Sequence, residues 1–460
     1  MKTQINIPMR LTTLLLASSL WPASSFAQST PAPLLTTITN PTPANFDLFG
    51  GAVAALGSDR VLIGAEPAAE AYLFSLNGTL LTTFTISDPA ASGFGAALAA
   101  VGNDRVLIGA YSYAGGVPLA QVGRAYLFST NGVLLTTFTN PAPATVQAFG
   151  WAVAALGNDR VIIGAGDGGV TYLFRTDGTL VTTFTKPIPA AGGFGLSVAA
   201  VGGNRILIGA PYSNTGATGA GAAYLFNTNG ALLTTFTNPV PAPGDNFGTS
   251  VAAVGNDRVL ISAIDYGSAN GTGGAAYLFS TNGTLLTTFP NPTPASGDYF
   301  GWSVAAVGST RVLIGAYQDG AGAFQAGAAY LFSTNGALLN TFTNPTPAIQ
   351  DWFTWSVAGV GSDHVLIGGI WDDTGATDAG SAYLFALPYP PLSITQNAGG
   401  VSLNWVTPET GLILQQTDRL AQPTTWGNTT DSVFISGTTN AVQQTIAVGI
   451  TNRFFRLHRP

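Results

Sequence analysis

The chain has 460 residues, of which 46% are hydrophobic and only 8% are charged, against about 25% charged residues in an average soluble protein. This hydrophobic content excludes intrinsic disorder, and a net charge of -7 argues against a nucleic-acid partner, which would need clustered Lys and Arg. Because the chain has no cysteine, it cannot form a disulfide, a thiolate metal site or a cysteine nucleophile.

The first predicted element is an export signal at residues 1–27. Lys2 and Arg10 precede a short apolar stretch that ends in small residues at Ser25 and Ala27, which is typical of a signal peptide cut after Ala27. The stretch is too short, and too interrupted by Ser and Pro, to span a bilayer. We therefore expect a secreted, periplasmic or cell-surface protein without a membrane span.

Residues 28–387 contain seven copies of one block, and the complete block has four strand-like runs, A to D. Run A is rich in small residues, which suits strands that converge closely. Run B is almost continuously apolar, which indicates that both of its faces are covered. Run D, as in LLTTF, alternates Leu, Thr and Phe, a pattern that suits a strand at the exposed edge of a sheet. Six copies begin with Phe-Gly and the seventh with Phe-Thr, at Phe49, Phe94, Phe149, Phe194, Phe247, Phe300 and Phe353.

The connections and the chain ends predict how the runs assemble. Asn-Gly or Asp-Gly separates runs C and D in the first six copies, a signal for a two-residue hairpin turn between antiparallel strands. The seventh copy lacks run D, but LLTTITN at residues 34–40 supplies that sequence before the first copy. The sequence therefore predicts an all-β protein, a seven-bladed β-propeller closed by the N-terminal strand, rather than an open solenoid.

These motifs resemble the FG-GAP repeat family, which includes the propeller of integrin α subunits. The likeness rests on FG-x-SVA, VLIGA and G-x-AYLF recurring in order, and residues 372–385 are most similar to bacterial repeats of this family. Integrin-type repeats carry a calcium loop with several carboxylates between strands A and B. Here the corresponding turn is Gly-Asn-Asp-Arg, as at residues 102–105, and a single Asp cannot supply the oxygens that calcium prefers.

Residues 388–460 form a linker and a region without repeats. Short runs such as VSLNWV at 401–406 and FFRLHR at 454–459 alternate apolar with polar residues, which predicts a small β-sandwich. The region is similar to short C-terminal modules of exported bacterial proteins. This resemblance leaves its role open between a spacer, a sorting element and a second binding domain.

The strand order sorts the charged residues between the two ends of the propeller. In an antiparallel meander the A-B and C-D turns share one end, and the B-C and D-A loops share the other, which we call the loop face. The first end has near-equal numbers of Asp and Arg, whereas thirteen acidic residues on the loop face are opposed by Arg124 and Lys186. A field of this sign can attract cations or basic partners, although solvated polar loops have the same composition.

Arginine begins strand B in six copies, and His364 takes its place in the seventh. The ring of Arg side chains could hold an anion. We expect instead that each Arg packs along its blade and pairs with nearby Asp or carbonyl groups.

Aromatic and acidic residues come together in the loops of blades five to seven. Tyr266, Tyr317 and Trp371 follow strand B beside several carboxylates, an arrangement that suits sugar rings or a peptide cation. The alternative is that these aromatics pack beneath their own loops. The predicted ligand-binding residues are Asp265, Tyr266, Asp298, Tyr317, Asp319, Asp351, Trp371, Asp372, Asp373 and Asp378.

The leading hypothesis is a non-enzymatic, monomeric binding or adhesion propeller, as the family resemblance implies. Its partner would be a glycan or an extracellular protein, with no cofactor, and weak calcium binding by the acidic loops stays open. The chain has two histidines, His364 and His458, so spacing provides neither a His-based metal site nor a Ser-His-Asp triad. Alternatives are a polysaccharide-active enzyme using two carboxylates in the same loops, or a structural envelope protein.

A first test follows from these residues. Replacing Asp319, Asp372 and Asp373 with Asn is expected to weaken ligand or cation binding while thermal stability stays nearly unchanged.

Overall fold

A computed structural model describes residues 32–387 except 89–92, 112–122, 143–147, 167–168, 189–191 and 265–272, and several short strands beyond residue 392. The chain divides into two compact units, one of residues 31–387 and one of residues 1–30 with 388–460. The proposed signal peptide at 1–27 lies outside the described residues. Within them, no helix is long and apolar enough to cross a membrane.

Residues 31–387 fold into seven four-stranded antiparallel sheets, the blades. In each of the first six blades the strands lie side by side in the order A-B-C-D. The A strands are β2 (Ala52–Leu56), β6 (Gly93–Val101), β10 (Phe149–Leu156), β14 (Ser197–Val201), β18 (Val251–Val254), β22 (Phe300–Val307) and β26 (Phe353–Val360). The B strands are β3 (Arg60–Ala65), β7 (Arg105–Tyr111), β11 (Arg160–Ala165), β15 (Arg205–Ala210), β19 (Arg258–Ala263), β23 (Arg311–Ala316) and β27 (His364–Gly369).

The C and D strands complete each blade toward its outer edge. The C strands are β4 (Glu70–Ser75), β8 (Arg124–Ser129), β12 (Val170–Arg175), β16 (Ala222–Asn227), β20 (Ala275–Ser280), β24 (Ala328–Ser333) and β28 (Ser381–Ala386). The D strands are β1 (Leu34–Thr39), β5 (Leu80–Thr85), β9 (Leu134–Thr139), β13 (Leu180–Thr185), β17 (Leu232–Thr237), β21 (Leu285–Pro290) and β25 (Leu338–Thr343).

The blades close into a ring. Each A strand contacts the A strand of the next blade, and β26 contacts β2 in the same way. The N-terminal strand β1 pairs with β28 as the fourth strand of blade seven, with Ile38 opposite Ala382. The predicted seven-bladed propeller and its closure by the N-terminal strand are therefore confirmed.

The hydrophobic core is divided into seven clusters, one between each pair of neighbouring blades. The Phe of each Phe-Gly motif is fully buried in one of these clusters. Phe300, for example, lies 5.8 Å from the ring of Tyr330 and 6.3 Å from that of Phe332, both on strand C of its own blade. The glycine after it has a φ of 95°, a conformation that glycine adopts without strain.

The Arg residues that begin the B strands join neighbouring blades. The guanidinium of Arg60 donates to the carbonyl oxygen of Asn103 at 2.8 Å, and that of Arg258 donates to Ser309 at 2.6 Å. The same Nη2 contact to the next A-B turn recurs at Arg105, Arg160, Arg205 and Arg311. The predicted pairing of these side chains with carbonyl groups is confirmed.

The C-terminal unit contains two antiparallel sheets. One has the order β29-β30-β34-β33 and the other β32-β31-β35. Their strands are β29 (Ser393–Asn397), β30 (Gly400–Val406), β31 (Ile413–Thr417), β32 (Gly427–Asn428), β33 (Phe434–Ser436), β34 (Thr439–Gln444) and β35 (Phe454–His458). The β-sandwich stays a prediction.

Candidate functional site

The loop face is built from B-C loops, each of which packs against the D-A loop that leaves the D strand of the same blade. Backbone hydrogen bonds join the two loops: Phe353 N donates to Ala326 O at 2.9 Å, and Phe49 N donates to Ala379 O at 2.8 Å. A glycine sits at each of these junctions because a Cβ at Gly327 or Gly380 would overlap the backbone of the opposite loop. These hydrogen bonds fix the backbone that positions the side chains of the loop face.

The Asp residues of the D-A loops turn inward. Asp298 accepts hydrogen bonds from Asn291 Nδ2 at 2.9 Å and Ala295 N at 2.8 Å, and its side chain is buried. Asp351 accepts from Asn344 Nδ2 at 2.7 Å in the same geometry. The pairing recurs at Asn40 with Asp47 and at Asn238 with Asp245. Both predicted site residues in these loops thus brace the turn that leads into strand A.

Asp319 and Asp372, at the start of their B-C loops, are also buried. Asp319 accepts hydrogen bonds from the Tyr330 hydroxyl at 2.6 Å, the Thr293 hydroxyl at 2.9 Å and the backbone N of Ala321 at 2.9 Å. Asp372 accepts from the Tyr383 hydroxyl and from Ser381 Oγ. Their oxygens therefore tie the loop to strand C, and ligand binding by these two carboxylates stays a prediction.

Two predicted carboxylates remain more accessible. Asp373 is exposed and Asp378 is partly exposed, and the backbone N of Asp378 donates to Asp373 Oδ1 at 3.0 Å. Burial and the neighbouring Asp373 raise the pKa of Asp378. Burial also raises the pKa of Asp351, and the charges of Asp372, Asp373 and Asp378 add to this effect. The predicted residues Asp265 and Tyr266 lie outside the described residues.

Tyr317 and Trp371 belong to an aromatic cluster on blades six and seven. Trp371 stacks on Trp352 with ring centroids 3.7 Å apart, and Trp352 lies parallel to Trp355 at 5.4 Å. Tyr317 contacts the ring of Trp355 at 5.2 Å. Tyr317 is buried, whereas the other members are partly exposed. We call this cluster the rim aromatics: Tyr299, Trp302, Tyr317, Trp352, Trp355 and Trp371.

Backbone irregularities position the rim aromatics. Trp302 and Trp355 follow Phe300-Gly301 and Phe353-Thr354, inside register shifts of β22 and β26, and such bulges re-aim side chains at sheet ends. Tyr299 and Trp352 precede the motif with φ of 54° and 48°, a left-handed conformation uncommon for bulky residues. The Nε1 of Trp352 is buried with no hydrogen-bond partner among the described residues.

A second aromatic pair lies on the same face. Trp151 occupies the position of Trp302 and Trp355 in blade three, also inside a register shift of its A strand, β10. Its ring lies 4.5 Å from that of Tyr111, at the end of strand B in blade two. Both side chains are partly exposed.

Within the described part of the chain, no group of three or more His, Asp or Glu residues could hold a metal ion. The question of weak calcium binding by the acidic loops stays open, as it is from the sequence. The amides of three glutamines lie close to the rim aromatics in sequence: Gln325 Nε2 donates to Gln318 Oε1 at 3.0 Å, and Gln350 Nε2 donates to Gln325 Oε1 at 3.2 Å. This chain of amides links the B-C loop of blade six to the next D-A loop.

Sequence reasoning missed Tyr299, Trp302, Trp352 and Trp355. Trp302 lies in run A, where the repeat pattern predicts an ordinary strand residue and gives no indication of a partly exposed side chain. A signal was present, because the residue after Phe-Gly is Trp in blades three and six, and Trp355 follows Phe353-Thr354 in blade seven. The buried Asp residues also had a signal, since Asn and Asp recur with a spacing of seven in four D-A loops.

Residues 234–279, 293–332 and 342–385 match a family model described as FG-GAP repeat. A search of curated protein sequences finds no match. Among solved structures, that of U3-55K superposes with a TM-score of 0.55 at 11% identity, covering 78% of this chain and 99% of that chain. The structure of a streptogramin B lyase superposes with a TM-score of 0.56 at 10% identity, covering 76% of this chain and 97% of that chain. The WD40 β-propeller domain of Doa1 superposes with a TM-score of 0.51 at 14% identity, covering 78% of this chain and 98% of that chain. Such identities show the fold alone.

Proposed function

The chain is a seven-bladed β-propeller that contains FG-GAP repeats, and from that premise we propose that it is an exported, non-enzymatic binding protein that recognises a glycan. The observation that carries this proposal is the rim aromatics. Partly exposed indole and phenol faces are the surfaces on which the apolar faces of sugar rings stack, and propellers place such sites on the loops at one end of a rigid scaffold.

Neighbouring groups support a glycan over a peptide cation. Gln318, Gln325 and Gln350 place amide groups along the adjacent loops, and amides donate and accept the hydrogen bonds that sugar hydroxyls need. Several carboxylates that would have attracted a cation instead accept hydrogen bonds inside the fold, among them Asp319 and Asp372. An extracellular protein partner is the second candidate, because Phe324 and Ile349 are 66% and 70% exposed on the same loops.

The test is glycan-array binding by the full exported chain, followed by calorimetry on each positive glycan with and without calcium. The double variant Trp302→Ala, Trp355→Ala should lose at least about tenfold in affinity, the effect of removing a stacked aromatic contact of about 1.4 kcal/mol. Thr249→Ala, at the equivalent position of blade five, is the matched control and should bind like the unchanged chain. We expect calcium to have no effect.

Two outcomes would overturn this proposal. Binding to an extracellular protein, and to no glycan, would assign the loop face to protein recognition. Release of new reducing ends or unsaturated products from a bound polysaccharide would assign it to catalysis, with a carboxylate pair as acid and base or nucleophile.

A further inference from the structure

We propose that the ligand is an extended, uncharged glycan chain that lies across the central axis of the loop face and contacts two aromatic stations on opposite sides. The first station is Trp302 and Trp355 with the aromatics around them. The second is Trp151 with Tyr111. This inference rests on the proposed function and adds the shape and charge of the ligand to it.

The three tryptophans occupy one structural position. Trp151, Trp302 and Trp355 each follow the first two residues of the motif, and each backbone N closes a turn onto the carbonyl three residues earlier, at 3.1, 3.0 and 3.2 Å. Each also lies where the pairing of strands A and B shifts register. The propeller repeats this position once in every blade, so the three indoles start from the same height on the inner rim of the loop face.

The order of the blades places the stations opposite one another. The A strands follow each other around the axis in chain order and close from β26 to β2. From β10 it is three steps through β14 and β18 to β22, and three steps through β6 and β2 to β26. Trp151 therefore faces the gap between Trp302 and Trp355, as far from both as a ring of seven blades allows.

At the position of the three tryptophans, the remaining blades carry no charged residue. The equivalent positions in the other four blades are Gly51, Ala96, Leu196 and Thr249. These four residues offer a charged ligand no partner for the hydration that it would lose on binding. Two carboxylates add repulsion against an anionic chain: Glu66, which hydrogen-bonds with Tyr111 of the second station, and Asp373, exposed two residues after Trp371. The two stations therefore suit a neutral polysaccharide better than a uronate or sulfated one.

Two stations on one face have a measurable consequence. When a chain reaches both, the second contact becomes intramolecular, and affinity exceeds that of either contact alone. A short oligosaccharide occupies one station only. Affinity should therefore rise with chain length until the ligand spans the axis, and then level off.

The experiment is calorimetry of the full exported chain with neutral β-linked gluco-oligosaccharides of increasing length. We expect at least a tenfold rise in affinity between the shortest and the longest ligand that binds. Trp151→Ala should keep the affinity for the shortest ligand and lose this rise, whereas Trp151→Phe, which keeps an aromatic face, should retain most of it. Tyr212→Ala, an exposed aromatic on blade four, is the matched control and should behave like the unchanged chain.

A matched series of oligogalacturonates should bind at least tenfold more weakly. The inference is overturned if neutral oligosaccharides bind with equal affinity at every length, if Trp151→Ala retains the full rise, or if the anionic series binds as well. Any of these results leaves glycan recognition by Trp302 and Trp355 standing. Failure of both series to bind, while another glycan binds on the array, would overturn this inference alone. Failure of every glycan on the array would remove the proposed function and this inference with it.

Discussion

Thr354 occupies a backbone position that glycine fills in the other six blades. Its φ is 82°, against values of 92–96° for those glycines, and its side chain is fully buried. A β-branched residue with positive φ is a strained outlier. The hydroxyl of Thr354 donates to Ala328 O at 3.3 Å, which offsets part of that strain. Trp352, two residues before Thr354, stacks on Trp371.

A glycine-to-alanine exchange tests the requirement for this conformation. At Gly248, with φ of 96°, an added Cβ would lie 2.5 Å from Ala222 O, so we expect Gly248→Ala to lower the free energy of unfolding by at least about 2 kcal/mol. Thr354→Gly should change it by less than about 1 kcal/mol, because relief of strain and loss of the hydrogen bond oppose each other. Chemical denaturation measures both. If both variants changed the free energy of unfolding equally, the motif would not require a positive φ at this position.

The buried placement of Asp319 changes what an Asp-to-Asn exchange should do. Asp319 accepts three hydrogen bonds, so Asp319→Asn puts a donor opposite donors and should cost about 1–3 kcal/mol of stability. Asp373 is exposed, and Asp373→Asn should stay within about 0.5 kcal/mol. Thermal and chemical unfolding of the two variants measure the difference. Unchanged stability in both variants, as the sequence alone predicts, would contradict the buried network.

Asp378 should make stability depend on pH. Burial and Asp373 raise its pKa above the ordinary value of 3.8. A carboxyl with a raised pKa in the folded state contributes stability below its ordinary pKa, and this contribution is lost as pH rises through the folded-state pKa. We expect Asp378→Asn to remove part of the gain in stability on acidification toward pH 3.8. Asn tolerates the φ of 52° at this position.

The control for this pH effect is Asp177→Asn. A hydrogen bond from the Thr179 backbone lowers the pKa of Asp177, so its stabilisation is lost as pH falls and its removal should change the slope in the opposite direction. Unfolding midpoints across the acidic range, compared with the unchanged chain, separate the two signs. Slopes that change in the same direction for both variants would contradict the assignment.

At the scale of the strand, side chains of the D strands connect one blade to the next. Thr234 Oγ1 donates to Thr281 O, in the C-D turn of the following blade, at 2.8 Å. The same hydroxyl contact recurs at Thr82, Thr136, Thr182 and Thr287. In blade six Asn340 replaces this threonine, and its buried amide nitrogen has no partner among the described residues. The hydrogen bond from the D strand to the next blade is therefore missing between blade six and blade seven, the blade that β1 completes.

Adjacent threonines in β17 provide a matched test of this link. Thr234→Val keeps the shape of the side chain and removes the hydrogen bond, so we expect a loss of about 1 kcal/mol. Thr235 is exposed on the other side of the strand, and Thr235→Val should have little effect. Urea denaturation of the two variants gives the comparison. If Thr234→Val were no more damaging than Thr235→Val, the hydroxyl link would have no measurable role.

The strands were predictable from sequence, and the site was predictable only in part. The copies of VLIGA, YLF and LLTTF are so alike that one copy predicts the others, and the run missing after Phe385 exposes the role of β1. Directions of loop side chains are set by hydrogen bonds such as that of Asp298 with Asn291, which a count of charges does not reveal. Trp302 is presented by a register shift, a local irregularity inside a regular pattern.

For the whole molecule, closure of the ring holds the two aromatic stations in fixed relation, and β1 makes that closure. Ile38 of β1 is 2% exposed and packs in the cluster between blades seven and one, with Phe49 and Leu384. Ile38→Ala should therefore cost about 2–4 kcal/mol. Leu35→Ala, in the same strand but 43% exposed, should cost less than about 1 kcal/mol. Denaturation followed by tryptophan fluorescence measures both.

The same pair of variants connects stability to recognition. Loss of β1 frees the edge of β28 and weakens the contact between blades seven and one, and the ring then no longer fixes Trp355 relative to Trp151. We expect Ile38→Ala, under conditions where a fraction of the rings is open, to lose affinity for long glycans before it loses affinity for short ones, because only long glycans need both stations. If affinity for long and short glycans fell in parallel, the contact between blades seven and one would support the fold as a whole rather than the distance between the two stations.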